Sequence, residues 1–164
     1  MHLGNRITGG LGVGFVNMGS TCYMACSLQA LFHTSSLADY MWFGGYHKKC
    51  DRGKSCTLCI IISFLRKLTN FTSPLKPIEL WRKLTSISSE FHYTREEDAH
   101  EYTQCLLEVL RREIIDTELP KFVFWGSKIT TPLDAIFGVN NQRSEVLPVL
   151  QYWLQNGAFL GSEP

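Results

Sequence analysis

The sequence lacks a hydrophobic run long enough to cross a membrane, and it lacks an excess of charge of one sign. No apolar stretch approaches the roughly 18 residues that a membrane span needs. The chain has 16 Lys and Arg residues and 15 Asp and Glu residues, so the formal net charge is only +1. A near-neutral chain presents no field that attracts a polyanion. We therefore expect no membrane and no nucleic acid among the partners.

The chain also begins without the apolar core of a secretory signal peptide, since residues 1–10 are rich in glycine and polar groups. Outside the secretory route, six cysteines are expected to be free thiols or metal ligands rather than disulfides. These absences together predict an intracellular protein of the cytoplasm or nucleus.

What the chain does have is enough apolar material for one folded domain: 164 residues, 45% of them hydrophobic and only 19% charged. Apolar residues recur with the helical period and predict helices over 22–33, 37–42, 57–69 and 77–87. Ser35 or Ser36 is expected to cap the second of these. Thr94 and Glu97 have the spacing of a capping box, which predicts a further helix from there to about Asp116.

One stretch has a residue pattern that favours a reactive cysteine at a predicted helix start. The small-residue turn from Gly19 to Thr21 delivers Cys22 to the first helical turn, where free N–H groups and the helix dipole stabilise a thiolate. The side-chain amide of Asn17 could donate to the oxyanion of a tetrahedral intermediate if the turn folds back. From these residues alone, the alternative is a buried, inert cysteine beside a turn asparagine.

A second cluster combines four soft or borderline ligands within thirteen residues: His47, Cys50, Cys56 and Cys59. Tetrahedral zinc accepts His and Cys in such paired spacings, because each x-x pair lets two side chains converge on one ion. The zinc would be structural, since protein fills all four positions. The alternative is a loop with a surface histidine and three unpaired cysteines.

The stretch around Cys22 reads NMGSTCYMACSLQAL, which resembles the cysteine box of the ubiquitin-specific proteases, G-L-x-N-x-G-N-T-C-Y-M-N-S-x-L-Q-x-L. Ser20 stands where the family usually has asparagine, and Ala25 and Cys26 replace its asparagine and the residue after it. The resemblance implies that Cys22 is the catalytic nucleophile and Asn17 the oxyanion-hole residue.

A second stretch, REEDAHEY, resembles the Q-x-D-A-x-E-F segment of the same family. In that family the aspartate contacts the extended tail of ubiquitin, so the resemblance implies a substrate-binding role for Asp98, with Glu97 beside it. Glu96 replaces the usual glutamine. His100 occupies a position that is commonly His or Gln, so it is not expected to be the base. The alternative is an acidic first turn favoured only by the helix dipole.

The resemblance covers residues 12–138 and ends at a segment, 132–138, that looks like the I-F-G-G entry to the family's sheet-rich half. Short strands are predicted at 122–125 and 128–131. The resemblance implies a mostly α chain that forms the helical thumb of a papain-like α+β cysteine protease fold. This thumb is the N-terminal half of a catalytic domain, and the sheet half is largely missing. Residues 1–11 are a predicted flexible lead-in, and 139–164 a divergent tail.

The implied function is deubiquitination at the C-terminal glycine of ubiquitin, with ubiquitin and ubiquitinated proteins as partners. A similar His and Cys cluster in some family members favours the structural zinc. The family's G-H-Y box with the base histidine has no counterpart here, which indicates a truncated form. The alternatives are a catalytically inactive ubiquitin- or partner-binding fragment, or a small zinc-stabilised interaction module. An uncovered thumb face would predict a protein partner there.

Overall fold

The computed structural model describes residues 13–43, 50–70, 72–118 and 131–138. The backbone in these ranges is mostly helical, as predicted, and its helices are α1 (Cys22–His33), α2 (Ser35–Phe43), α3 (Thr57–Leu68), α4 (Ile78–Arg82), α5 (Leu84–Ile87), α6 (Ala99–Glu118) and α7 (Pro132–Phe137). A 3-10 turn, Gly53–Ser55, precedes α3. None of these helices is both long and apolar enough to cross a bilayer.

The core forms where α1 and α3 pack against α6 and α2. α3 packs chiefly on α2 and α6, and Phe15 fills the space between α3 and α1. Its ring centroid lies 6.1 Å from that of Phe32 on α1 and 6.1 Å from that of Phe64 on α3. Burying one such side chain contributes about 1.5–3 kcal/mol. The fully buried members of this core include Met24, Leu28, Phe64, Leu65, Tyr102 and Leu106.

The segment before Cys22 is held by an isolated backbone bridge and by one side-chain hydrogen bond. Leu75 N donates to Gly14 O at 2.9 Å, and Val16 N donates to Leu75 O at 2.8 Å, which makes an isolated parallel bridge. Gln29 Nε2 of α1 donates to Val13 O at 3.0 Å. The approach to the Cys22 turn is therefore fixed from two sides.

Two helix boundaries differ from the prediction. α2 begins at Ser35, so both serines lie in its first turn instead of capping it. The expected helix over 77–87 is divided at Lys83 into α4 and α5, and Pro77 occupies the cap position of α4. Leu80 and Leu84 are fully buried, because the break lets both short helices turn an apolar side inward.

The predicted capping box of Thr94 and Glu97 is wrong. α6 begins at Ala99, and Asp98 Oδ1 accepts from the backbone N–H of His100 at 2.7 Å and of Glu101 at 2.9 Å. Asp98 is therefore the cap, because its short carboxylate adjoins the first unpaired N–H groups of the helix.

The segment with the I-F-G motif is helical in this structure. Thr131 and Asp134 form a capping box at the start of α7, with Thr131 N donating to Asp134 Oδ2 at 2.7 Å. Arg111 Nε of α6 contacts both carboxylate oxygens of Asp134, at 2.9 and 3.1 Å. Of the strand expected at 128–131, Thr131 alone lies within the described residues, and there it caps α7. The strand expected at 122–125, the lead-in and the tail lie outside the described residues.

Candidate active site and cysteine cluster

The turn before α1 exposes the thiol of Cys22. Gly19 and Ser20 both have a positive φ, 88° and 46°, which reverses the chain just before the helix. Thr21 is buried, whereas Cys22, the first residue of α1, is exposed. The burial expected of an inert structural cysteine is therefore not found.

Asn17 organises this turn through its side-chain oxygen. Asn17 Oδ1 accepts from Gly19 N at 3.1 Å, from Thr21 N at 3.2 Å and from Thr21 Oγ1 at 2.9 Å. The Thr21 hydroxyl in turn accepts from Met18 N at 2.9 Å. Oδ1 thus fixes the side chain to the turn, and Nδ2, the donor of the side-chain amide, is the group that can donate to a ligand.

A polar link joins α1 to the start of α6. The hydroxyl of Ser27 on α1 lies 2.8 Å from Tyr23 O and 3.1 Å from Ala99 O. Thr103 Oγ1 donates to Ser27 Oγ at 2.9 Å. Sequence reasoning missed this link, although a small polar residue on the apolar face of each helix was a signal for it. The link brings Asp98, next to Ala99, to the helix that presents Cys22.

Both acidic residues before α6 are held in the ionised form. The backbone N–H groups of Glu101 and His100 lower the pKa of Asp98, which is exposed. Glu97 Oε1 accepts from His92 N at 2.8 Å and from Arg95 Nε at 3.1 Å. These contacts lower the pKa of Glu97.

Glu97 and Cys22 are electrostatic neighbours of Tyr23. Burial raises the pKa of Tyr23, and the charges of Glu97 and Cys22 raise it further. Glu97, one of the two predicted substrate-binding residues, and the predicted nucleophile therefore both act on the same tyrosine.

No imidazole among the described histidines is hydrogen-bonded to Cys22. His33 Nδ1 lies 2.8 Å from Gln29 O, and His100 Nε2 lies 2.9 Å from Gln104 Nε2. His92 uses its backbone N–H to bind Glu97. In these ranges the predicted nucleophile Cys22, the predicted amide donor Asn17 and the acidic residues are therefore present without a histidine paired to Cys22.

The thiols of Cys50, Cys56 and Cys59, here called the cysteine cluster, converge. Their Sγ atoms all lie within 4.8 Å of one another, and none is in a disulfide. Three thiolates bound to a tetrahedral zinc at about 2.3 Å would be about 3.8 Å apart, so the spacing and the soft donor set fit zinc. His47, the predicted fourth ligand, lies outside the described residues.

Local structure explains the convergence. The 3-10 turn closes with Ser55 N donating to Arg52 O at 2.9 Å, and Cys56 N donates to Gly53 O at 3.1 Å. Because Cys56 immediately precedes α3, Cys59 lies one helical turn beyond it. The loop thus folds back on the helix start.

The three thiols differ in electrostatic environment. Burial raises the pKa of Cys56 and of Cys59, and the carboxylate of Glu113 adds to this for both. Burial also acts to raise the pKa of Cys50, but hydrogen bonds from Arg52 and from the Cys59 thiol lower it overall.

Comparison with known proteins identifies the family to which the chain is similar. The family profile of ubiquitin carboxyl-terminal hydrolase matches residues 13–148. Ubiquitin carboxyl-terminal hydrolase 36 of Drosophila grimshawi is 35% identical in an alignment of 147 residues that covers 83% of this chain and 12% of that protein. Human ubiquitin carboxyl-terminal hydrolase 17-like protein 12 is 34% identical over 139 residues, 84% of this chain and 25% of that protein.

Human ubiquitin carboxyl-terminal hydrolase 17-like protein 6 is 33% identical over 139 residues, again 84% of this chain, and here 33% of the relative. The chain thus spans a third or less of the length of each of these three relatives. The family profile covers the region that contains Cys22, Asp98 and the cysteine cluster. The chain therefore belongs to the ubiquitin carboxyl-terminal hydrolase family.

Proposed function

We propose that this chain supplies the nucleophile and the oxyanion donor of a cysteine-type deubiquitinase that acts at the C-terminal glycine of ubiquitin. The observation that carries the proposal is the exposed thiol of Cys22 at the N-terminus of α1, beside an Asn17 side chain whose oxygen is held by the turn. The names of the relatives, ubiquitin carboxyl-terminal hydrolases, support ubiquitin and ubiquitinated proteins as its substrates.

In the proposed mechanism the Cys22 thiolate attacks the carbonyl carbon of the C-terminal glycine of ubiquitin. The carbonyl oxygen becomes an oxyanion and accepts a hydrogen bond from Asn17 Nδ2. The C–N bond then breaks as the amine takes a proton from solvent and leaves, and water hydrolyses the thioester, which releases the carboxylate of ubiquitin and frees the Cys22 sulfur. Asp98 and Glu97, both ionised, bind the extended tail of ubiquitin.

The alternative is a catalytically inactive fragment that binds ubiquitin or a partner. It is favoured by one observation: no described histidine hydrogen-bonds Cys22. In a serine protease, loss of the histidine lowers kcat by about 2 × 10⁶, so a chain without a base retains little turnover. The two proposals differ in whether Cys22 acts as a nucleophile once the second half of a catalytic domain is supplied.

Labelling with a ubiquitin that carries a C-terminal electrophile separates them. We expect the isolated chain to be labelled slowly or not at all, and a fusion to the second half of a related catalytic domain to be labelled rapidly. Cys22→Ala should abolish labelling of the fusion, whereas Cys26→Ala, the exposed cysteine one turn away on the same helix, should leave it unchanged. Labelling that persists in Cys22→Ala would remove Cys22 as the nucleophile. Rapid turnover by the isolated chain would remove the inactive alternative.

We further propose that the cysteine cluster and His47 hold one structural zinc ion. Its binding energy would add to the folding energy of the loop and the start of α3. Metal analysis should find about one zinc per chain, and chelation should lower the thermal midpoint. Cys56→Ser or Cys59→Ser should release the metal, whereas Cys22→Ser should retain it; metal-free protein of unchanged stability contradicts the site.

The remaining proposals concern location and partners. Six cysteines, none of them in a disulfide, are consistent with a reducing compartment, the cytoplasm or the nucleus. A protein partner is supported by three large apolar side chains that the described ranges leave exposed, namely Phe43, Tyr93 and Phe137. Cell fractionation, and crosslinking at these side chains, test these two proposals.

A further inference from the structure

The start of α3 is capped by a residue from another helix. Its own cap residue, Cys56, makes no side-chain cap bond. Instead Glu113 of α6 accepts from Thr57 N at 2.9 Å through Oε1 and from Leu58 N at 2.7 Å through Oε2. The first N–H groups of a helix have no partner within it, and a carboxylate that accepts two of them also meets the positive end of the helix dipole.

The same carboxylate contacts the cysteine cluster. The Cys56 thiol donates to Glu113 Oε2 at 3.3 Å. Glu113 therefore fixes the residue before α3 and the first two residues of α3, across 55 to 57 positions in sequence. Because Cys59 lies one turn further along α3, its position depends on the orientation of this first turn.

Glu113 does not itself meet the geometry of a ligand. The donor atoms that lie within 4.8 Å of one another are the three thiols of the cysteine cluster, and the Glu113 oxygens are not among them. Both of its oxygens are used by backbone N–H groups. Its contacts are those of a group that orients ligands from outside the coordination shell.

We propose that Glu113 is a positioning residue for the cysteine cluster, and that by capping α3 from α6 it holds Cys56 and Cys59 in the orientation that binds metal. This inference rests on the zinc site proposed above. When a metal binds, the Cys56 thiol loses its proton and no longer donates to Glu113. The hydrogen bonds from Thr57 N and Leu58 N then remain, and through them Glu113 orients the helix. Glu113 thereby ties α3 to the helix whose first turn is capped by Asp98.

A second effect of Glu113, its negative charge, opposes capping, and the balance of the two decides whether removing the side chain weakens or strengthens metal binding. The carboxylate charge of Glu113 lies close to thiols that ionise on metal binding, and this charge by itself disfavours binding. If capping dominates, removal of the side chain weakens the site. If repulsion dominates, removal strengthens it. Glu113→Asp separates the two, because it keeps the charge and shortens the reach by one methylene.

The experiment is a cobalt titration of the full chain at fixed pH, with the thiolate-to-cobalt charge-transfer absorbance as the signal and a chromophoric chelator as competitor. We expect Glu113→Ala and Glu113→Asp to weaken cobalt binding by roughly 10- to 100-fold. Glu113→Gln, which keeps one carbonyl acceptor, should fall between these and the wild type. Glu108→Ala, an exposed glutamate on the same helix, is the matched control and should bind cobalt like the wild type.

The outcomes are distinguishable. A wild-type chain that binds neither cobalt nor zinc contradicts the zinc site itself. A wild-type chain that binds, with Glu113→Ala binding as tightly or more tightly, overturns the role of Glu113. An altered charge-transfer band shape in Glu113→Gln would show that Glu113 is a ligand, which also overturns the positioning role. Far-UV circular dichroism checks that each metal-free variant is folded, and Glu113→Gln carries the test if Glu113→Ala does not fold.

Discussion

The hydroxyl of Ser27 lies 2.9 Å from the hydroxyl of Thr103, and this contact joins the helix that begins with Cys22 to the helix capped by Asp98. Ser27 is buried and also reaches Ala99 O. The two segments with family resemblance, far apart in sequence, are thus connected by side chains from one apolar interface.

Replacing Ser27 by alanine should lower the free energy of unfolding by about 1 kcal/mol, because it removes a buried hydrogen bond between α1 and α6. Urea denaturation of the two proteins measures the difference. Ser63→Ala is the control, since Ser63 is exposed on α3, and it should change the free energy by less than about 0.5 kcal/mol. Equal effects of the two substitutions would show that the link between the helices carries no stability.

Ser20→Asn should stabilise the protein by about 0.5 kcal/mol. Ser20 has a φ of 46°, in the left-handed region, which asparagine adopts at a lower cost than serine. The family pattern has asparagine at this place, which agrees with the backbone found here. Thermal unfolding compares it with Ser36→Asn, in the first turn of α2, where no gain is expected. A Ser20→Asn protein no more stable than the wild type would contradict the argument.

Tyr102→Phe should raise the free energy of unfolding by roughly 1 kcal/mol. The Tyr102 hydroxyl is fully buried and has no hydrogen-bond partner in the described part of the chain, and an unpaired buried polar group is costly. The ring itself packs against Tyr23, at a centroid distance of 5.3 Å, and phenylalanine preserves this contact.

The control for that substitution is Tyr93→Phe. The Tyr93 hydroxyl donates to Arg82 O at 3.3 Å, so its loss should leave stability unchanged or slightly lower. Denaturant unfolding of both variants gives the comparison. Destabilisation by Tyr102→Phe would indicate that the hydroxyl has a partner, such as a buried water.

Stability should fall in acid partly through Asp134. Burial acts to raise the pKa of Asp134, but hydrogen bonds from Thr131 and from the Arg111 guanidinium lower it overall. The folded-state pKa thus lies below the unfolded value of about 3.9. The contribution is therefore present above about pH 3.9, and it is lost as the pH falls through the folded-state pKa.

Asp134→Asn should lower stability at pH 7 and flatten the loss of stability between about pH 5 and pH 2. The thermal midpoint as a function of pH measures both effects. Asp116→Asn, at an exposed position on the same helix as Arg111, should leave the acid slope close to that of the wild type. An unchanged slope in Asp134→Asn would show that the ion pair does not contribute.

Two substitutions of Asn17 distinguish its role in the turn from its role in catalysis. Asn17→Asp keeps an acceptor for the N–H groups of Gly19 and Thr21 but removes the Nδ2 donor, whereas Asn17→Ala removes both. In the fused, complete domain, both should lower kcat by roughly 10²- to 10³-fold. Asn17→Ala should also lower the thermal midpoint, and Asn17→Asp should lower it less. A fully active Asn17→Asp enzyme would exclude the oxyanion role.

The sequence by itself determined the features that depend on neighbouring residues. The bounds of α1 and α3 agree with the predicted 22–33 and 57–69 to within one residue, because apolar periodicity and a helix-starting turn are local. The placement of Cys22 at a helix start and the grouping of Cys50, Cys56 and Cys59 follow from the same short spacings. The family membership rests on two such contiguous stretches.

Tertiary structure decided which side chains complete these local elements. Thr94 and Glu97 have the spacing of a capping box, yet Asp98 caps α6. The division of the helix expected over 77–87 at Lys83 follows from how both halves bury their leucines. Sequence spacing determines which nearby groups a residue can reach, whereas tertiary packing determines which groups it actually contacts.

The longest connections were invisible in the sequence for the same reason. Glu113 caps α3 from 55 and 56 residues away, and Thr103 meets Ser27 across 76. No local rule relates such residues, since their contact exists only once the apolar faces of α1, α3 and α6 have packed together. That packing fixes the distances between their polar groups, and so it alone decided how Cys22, Asp98 and the cysteine cluster are held in one structure.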